Sequence, residues 1–261
     1  SEQGLGDTLQ FMRYIPYLEK IGFKVLFSAQ DKLLDLIKVS GIHSKPLTTN
    51  NANQFSNIKW LTLLSVPKML DIGPDKIIIN KPYICSTFEF IVKWKKILSS
   101  ENKPVIGINW QGNPNSEKGV SRGRSFKLEL FSKLLEVNDI RFLSLQKGFG
   151  SEQINKCSFR DHFVESQCEI DKIWDFTETA AIMKNCDLII TSDTSMAHLA
   201  GGMGLKTFLL LKKIPEWRWG LSGKKTSWYP SIEIFRQSNN GNWDEVFREV
   251  SIEMNKHIDF P

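Results

Sequence analysis

Apolar residues recur at helical spacing through Leu9, Met12, Ile15 and Leu18, which predicts a helix over 7–21 beginning at Asp7 or Thr8. Gly22 ends it. Residues 24–29 (KVLFSA) read as a short strand, and Asp31 caps a helix running to about Val39. The polar, Asn-rich stretch 44–57 is a loop. Residues 58–66 (IKWLTLLSV) are apolar enough for a strand and 76–79 (KIII) for an extended piece, while 87–98 (TFEFIVKWKKIL) has a helical period.

After Ser99-Ser100-Glu101-Asn102-Lys103-Pro104, the best linker in the chain, a second alternation begins. Strands are expected at 105–110, 140–145, 187–191, 206–211 and 232–236, and helices at 126–135, 177–184, 194–203 and 242–257. Strands alternating with helices build parallel sheets from βαβ units. The fold class is therefore α/β, with two Rossmann-like parallel-sheet domains facing a cleft. The N-terminal one covers 1–102 and the C-terminal one 103–245, and a closing helix over 246–261 crosses back toward the first. Glycine-rich turns such as Gly4-Leu5-Gly6 normally follow a strand, so the N-terminal sheet is expected to lack its first strand. The edge so exposed can pair with another chain.

A length of 261 residues suits one large domain or two modest ones. Composition is ordinary for a globular protein, and a net charge of +5 suits an anionic ligand without requiring nucleic acid. Cys85, Cys157, Cys168 and Cys186 form no C-x-x-C pair, so reduced thiols in a cytoplasmic protein are expected rather than disulfides or zinc. The four histidines are scattered, and no metal site is expected. There is no apolar run of membrane-spanning length, no signal peptide and no G-x-S-x-G elbow. Helix 87–98 mixes Phe88, Ile91, Val92, Ile97 and Leu98 with Lys93, Lys95 and Lys96. It is a solvated flank or, as the alternative, a peripheral contact with an anionic membrane.

Candidate chemistry gathers at the ends of the expected strands. Gly4 and Gly6 let backbone approach a ligand, and Asp7 is either a helix cap or a carboxylate base. The G-x-G-x-x-G dinucleotide fingerprint fails at Leu9, which sets an NAD-dependent oxidoreductase aside. Asn109 and Gln111 follow a strand directly, where polar residues line a ligand crevice. Arg124 and Lys147 are phosphate binders or solvated surface cations. Ser192, Asp193, Thr194 and Ser195 open a helix of small residues that carries His198. They hold a pyrophosphate on backbone N–H groups or simply cap the helix. Trp217 and Trp219 flank Arg218 and either stack on a base or sugar or plug the core.

These stretches together resemble glycosyltransferases of the heptosyltransferase type, glycosyltransferase family 9. The similar segments are EQGLGDTLQFMRYIP (2–16), GINWQGNP (107–114), RSFKLELF (124–131), SLQKG (144–148), SDTSMAHLAGGMG (192–204) and EWRWGLSGKKTSWYPSIEIFRQ (216–237). The pattern looks most like the domain found behind tetratricopeptide repeats in bacterial proteins, and is distantly similar to O-linked N-acetylglucosamine transferase. The resemblance implies a GT-B-like fold and an inverting, metal-independent transfer from a nucleotide-diphosphate sugar to a glycan, lipid-linked or protein hydroxyl. No cofactor is implied, because the nucleotide sugar is itself a substrate. Asp7 matches the family's proposed base, Lys147 its strand-end lysine, and Asp193, Thr194 and His198 its donor motif. Ser195 and Met196 depart from the usual residues and leave the donor sugar open. A non-catalytic module that binds nucleotide sugar or glycan is the alternative.

Overall fold

The computed structural model describes residues 4–73, 77, 79, 81–136 and 139–256. Its frame is one five-stranded parallel sheet. The strands are β1 (Val105–Asn109), β2 (Arg141–Ser144), β3 (Leu188–Ser192), β4 (Thr207–Leu211) and β5 (Ile232–Arg236), in the order β2-β1-β3-β4-β5. Side chains alternate between two apolar layers, as the period of two demands. Ile106, Ile108, Leu188, Ile190, Phe208, Leu210 and Phe235 face one layer. Leu143, Ile189, Leu209, Leu211, Ile232 and Ile234 face the other. A sheet covered on both faces reads in sequence as unbroken apolar runs, and for that reason all five strands were legible.

The N-terminal half contributes helices α1 (Leu5–Phe11), α2 (Ile15–Lys20), α3 (Leu34–Val39), α4 (Thr49–Ala52), α5 (Val66–Met69) and α6 (Phe88–Leu98). The single helix expected over 7–21 starts earlier and is interrupted. Pro16 has no N–H to return to the Met12 carbonyl, and residues 12–14 tighten into a 3-10 turn between α1 and α2. Two expected strands do not form. Segment 24–29 makes one bridge, Ser28 to Leu47, and 58–66 is irregular before a 3-10 turn at 63–65 and α5. β-rich composition forms a strand only against a ladder partner, and Ile58, Trp60 and Leu61 lie exposed instead. That one bridge is all the N-terminal sheet amounts to among the described residues. The piece expected at 76–79 falls partly outside them.

The remaining helices are α7 (Ser132–Leu135), α8 (Gln167–Ile170), α9 (Phe176–Lys184), α10 (Ser195–Gly202) and α11 (Asp244–Met254). The helix expected at 126–135 is a 3-10 turn over 128–131 followed by α7. α11 buries Val246, Phe247, Val250 and Met254 against Phe126, Phe131 and Trp243, beside β5 and α7 rather than on the N-terminal half. Positions 257–261 of the expected closing helix lie outside the described residues. On the opposite layer α1, α2, α3, α6, α9 and α10 share one core, so the two halves are joined by apolar packing. The edges of the sheet are each met by irregular chain, through a bridge from Phe142 to Phe163 and one from Lys225 to Glu233. No described helix is long and apolar enough to cross a membrane.

Candidate functional site

Strand order reverses at β1: β2 lies on one side of it, and β3, β4 and β5 follow on the other. In an open α/β sheet this switch point leaves a crevice at the carboxyl ends of the strands. Here it is a cleft of about 850 Å³. Asn109, Gln111, Lys147, Asp193, Thr194, Ser195 and His198 line its sheet side, with Arg124 from the loop after β1. Gly4, Gly6 and Asp7 line it from α1, and Trp217 and Arg218 from the loop after β4.

Local geometry explains how these residues meet. α1 begins at Leu5 with Gly4 as its cap, so Asp7 is the third helical residue rather than the cap itself. Its Oδ2 accepts the Gly4 N–H at 3.0 Å. Gly6 is small for a packing reason. A Cβ there would stand 2.8 Å from the His198 ring and 3.5 Å from the Ser195 Cα, so α1 lies tight against α10. Gly112 likewise yields its space to the Arg124 guanidinium, which a Cβ would meet at 2.6 Å.

Asp7 Oδ1 accepts Arg218 Nη2 at 2.7 Å. The pair is mostly buried, with 18% of the Asp7 side chain and 10% of the Arg218 side chain exposed. Arg218 Nη1 donates to Gln10 Oε1 at 2.8 Å and faces His198 Nε2 at 3.4 Å. An arginine can only donate, so Nε2 is the accepting nitrogen and Nδ1–H donates to Tyr229 Oη at 2.9 Å. Trp219 stacks on the same imidazole at 5.3 Å. Burial, with the Arg218 and Arg13 charges, holds the His198 pKa well below its usual value.

On the sheet side, Asn109 Nδ2 donates to Gln146 Oε1 and its Oδ1 accepts the Thr194 hydroxyl, both at 2.8 Å. Gln146 also binds the backbone of Trp110, Gln111 and Phe149. These amides fix the strand ends. Thr194 caps α10. Arg124 Nη1 donates to the Asp193 carbonyl at 3.1 Å, with its Nε 3.5 Å from Glu117. Lys147 Nζ donates to the Ile170 carbonyl, and burial lowers its pKa against the pull of Asp171. Burial raises the Asp193 pKa, opposed by the Trp219 side chain, Arg218 and Arg124. Arg124 Nε and Arg218 Nε are buried donors without a hydrogen-bond partner among the described residues. Two guanidinium groups lining one cleft suit an anionic ligand.

Two expected site residues stand apart. Ser192 is fully buried below the cleft floor with its hydroxyl unpaired, and Trp219 belongs to the core. Trp217, by contrast, is 59% exposed at the cleft. Arg218, Gln146 and Glu216 also line the cleft and were not singled out from sequence. Arg218 was visible only as the centre of Trp-Arg-Trp, and nothing local marks an ion pair with a carboxylate 211 residues away. Among the described residues no group of three or more His, Cys, Asp or Glu is gathered to hold a metal ion.

The buried imidazole makes stability depend on pH. In the unfolded chain His198 titrates near 6.5, whereas the folded ring stays neutral well below that. The unfolded state then binds the extra proton, so stability present above about pH 6.5 is lost on acidification, by at most about 1.4 kcal/mol per pH unit for this one group. Denaturant unfolding at about pH 7.5 and 5.5 is expected to show wild type losing more stability than His198→Gln. Equal losses in the two proteins would contradict it.

No model of a known protein family matches the chain. Over 170 residues, 62% of its length, it is 23% identical to Protein FlbA of Caulobacter vibrioides, and this stretch spans about a quarter (27%) of that protein. Among solved structures it is similar to a glycosyl transferase family 9 protein from Veillonella parvula, at TM-score 0.61 and 12% identity over 98% of this chain and 88% of that one. It is also similar to the E. coli ADP-heptose lps heptosyltransferase II, at TM-score 0.62 and 11% identity over 97% and 95%. At such identities the likeness concerns the fold: the chain has the α/β, GT-B-like architecture of these glycosyltransferase structures along nearly its whole length.

Proposed function

We propose that the chain is a glycosyltransferase that moves a sugar, with inversion and without a metal ion, from a nucleotide-diphosphate donor to a hydroxyl acceptor. The observation that carries this reading is the placing of the Asp7 carboxylate in a single switch-point cleft with the cationic side chains of Arg124, Lys147 and Arg218. In the proposed reaction Asp7 takes the acceptor hydroxyl proton as the oxygen attacks the anomeric carbon. The bond to the diphosphate breaks, and its electron pair leaves on the phosphate oxygen. Arg124, Lys147 and the N-terminus of α10 neutralise that charge in place of a divalent cation. The 103–245 half holds the donor and the 1–102 half the acceptor. The four free cysteines suit a cytoplasmic setting, where glycan, lipid-linked or protein acceptors are all chemically open.

A second reading, a module that binds nucleotide sugar or glycan without turnover, is favoured by one observation. Both Asp7 oxygens are already engaged, one by Arg218 and one by the Gly4 N–H.

Thermal-shift binding against nucleoside diphosphates and nucleotide sugars tests the donor site. Saturation at about 100 Kd stabilises a protein by about 2.7 kcal/mol. A shift with one base, lost in Lys147→Ala, is the expected result. Absence of any shift across the panel would remove the donor site from this cleft.

A further inference from the structure

A second pocket, of about 380 Å³, adjoins the cleft and shares Leu64 and Trp217 with it. Its remaining walls include Phe11, Tyr14 and Trp228, with exposed Lys68 and Asp71 contributing one charge of each sign. Asp7, Phe11 and Tyr14 are spaced four and three residues apart along α1 and the turn that continues it, and so share a face. At about 1.5 Å per residue, Phe11 lies roughly 6 Å and Tyr14 roughly 10 Å along the axis from Asp7. From the opposite wall Trp217 immediately precedes Arg218, the Asp7 partner. The pocket therefore begins where the carboxylate ends, about one sugar ring further on.

Two features describe its occupant. Trp217 is held edge-on to Trp228, with ring centroids 6.1 Å apart, and keeps more than half its surface open for stacking. Tyr14 is wholly buried, and its hydroxyl has no hydrogen-bond partner among the described residues. A hydrocarbon would stack on the indole but leave that hydroxyl unpaired, which is costly for a buried polar group. A pyranose has an apolar face for the indole and hydroxyls at its edge for Tyr14. The balanced charges of Lys68 and Asp71 favour a neutral ring over an acidic one.

We infer that this pocket is a subsite for an uncharged sugar ring, the neighbour of the ring whose hydroxyl faces Asp7. The acceptor is then a neutral glycan of at least two rings. The acceptor role rests on the transferase reading, whereas binding of a ring in the pocket does not.

Saturation-transfer NMR on the nucleotide-free protein tests it, with neutral methyl pyranosides and disaccharides, an acidic pyranoside and 1,6-hexanediol as probes. Neutral rings are expected to give transfer to their ring protons. This signal should be lost in Trp217→Ala, an exposed position, and affinity should weaken several-fold in Tyr14→Phe, which removes only the hydroxyl. Hexanediol or the acidic ring binding as well as the neutral ones would overturn the assignment. So would neutral-ring binding unchanged in Trp217→Ala, or no pyranoside binding at all. The nucleotide panel separates the two ideas. Ring binding without nucleotide binding keeps the sugar subsite and removes the acceptor role; nucleotide binding without ring binding does the reverse.

Discussion

Asp7→Asn is expected to lower turnover by about 10²–10⁴-fold, the span that a positioned general base contributes. The substitution preserves shape and removes the basic oxygen. It also places an amide N–H₂ where either Arg218 or the Gly4 N–H now donates, so one of those contacts meets a second donor. Arg218 then carries an unneutralised charge in the cleft, and nucleoside-diphosphate affinity should stay the same or rise. The measurement is kcat together with nucleotide Kd, on the donor that the thermal-shift panel identifies. Lost turnover with retained binding supports the base. Unchanged turnover would show that Asp7 serves only to hold α1 and Arg218. Loss of nucleotide binding as well would show that its role is to shape the donor site. Wild-type protein that binds nucleotide sugar and turns over none of it would favour the non-catalytic module.

The second large effect is on stability. Arg13→Met is expected to cost about 3–5 kcal/mol, because it leaves several buried acceptors unpaired at about 1–3 kcal/mol each. Arg13 is fully buried. Its Nε donates to the Gln10 carbonyl at 2.8 Å, and Nη1 donates to the carbonyls of Ile79 and Trp228 at 2.8 and 2.9 Å. Nη2 reaches the Tyr83 hydroxyl at 3.1 Å. The guanidinium lies 4.7 Å from the ring centroids of both Tyr83 and Tyr229, a cation held between two π faces. No carboxylate lies within ion-pair distance among the described residues, so carbonyl dipoles and rings replace the lost water. Methionine would fill much of the volume but leave these acceptors without a donor. Each kcal/mol shifts the melting temperature of a chain this size by about 2–4 °C, so thermal unfolding should move by about 6–20 °C. Arg13→Lys should recover only part of this, because a point charge cannot reach the same fork of acceptors. A shift no larger than that of a surface substitution would show that the network adds little.

The strands of the C-terminal half were legible in the sequence, because a sheet buried on both faces requires apolar runs in each strand, and so were the helices α9, α10 and α11. Their carboxyl ends placed Asn109, Lys147 and Asp193 at one crevice by topology alone. Helix α6 was legible too, with Thr87 as its cap. The strand expected at 58–66 was not, since composition states an affinity for a ladder and cannot supply the partner. The tryptophans divide in the same way. Sequence showed that Trp217 and Trp219 were large and close together, yet only packing sent Trp219 against His198 and left Trp217 open beside Asp7.

What the amino-acid order determined was therefore whatever depends on neighbours a few positions apart, chiefly helix period and strand burial. What the tertiary structure alone decided was the choice of distant partners. Arg218 joins Asp7, Arg13 joins Trp228, and Gly6 makes room for His198. Each choice is set by the cost of leaving a buried charge or polar group unpaired once the two halves close on a common core, and that cost has no local signature in the chain.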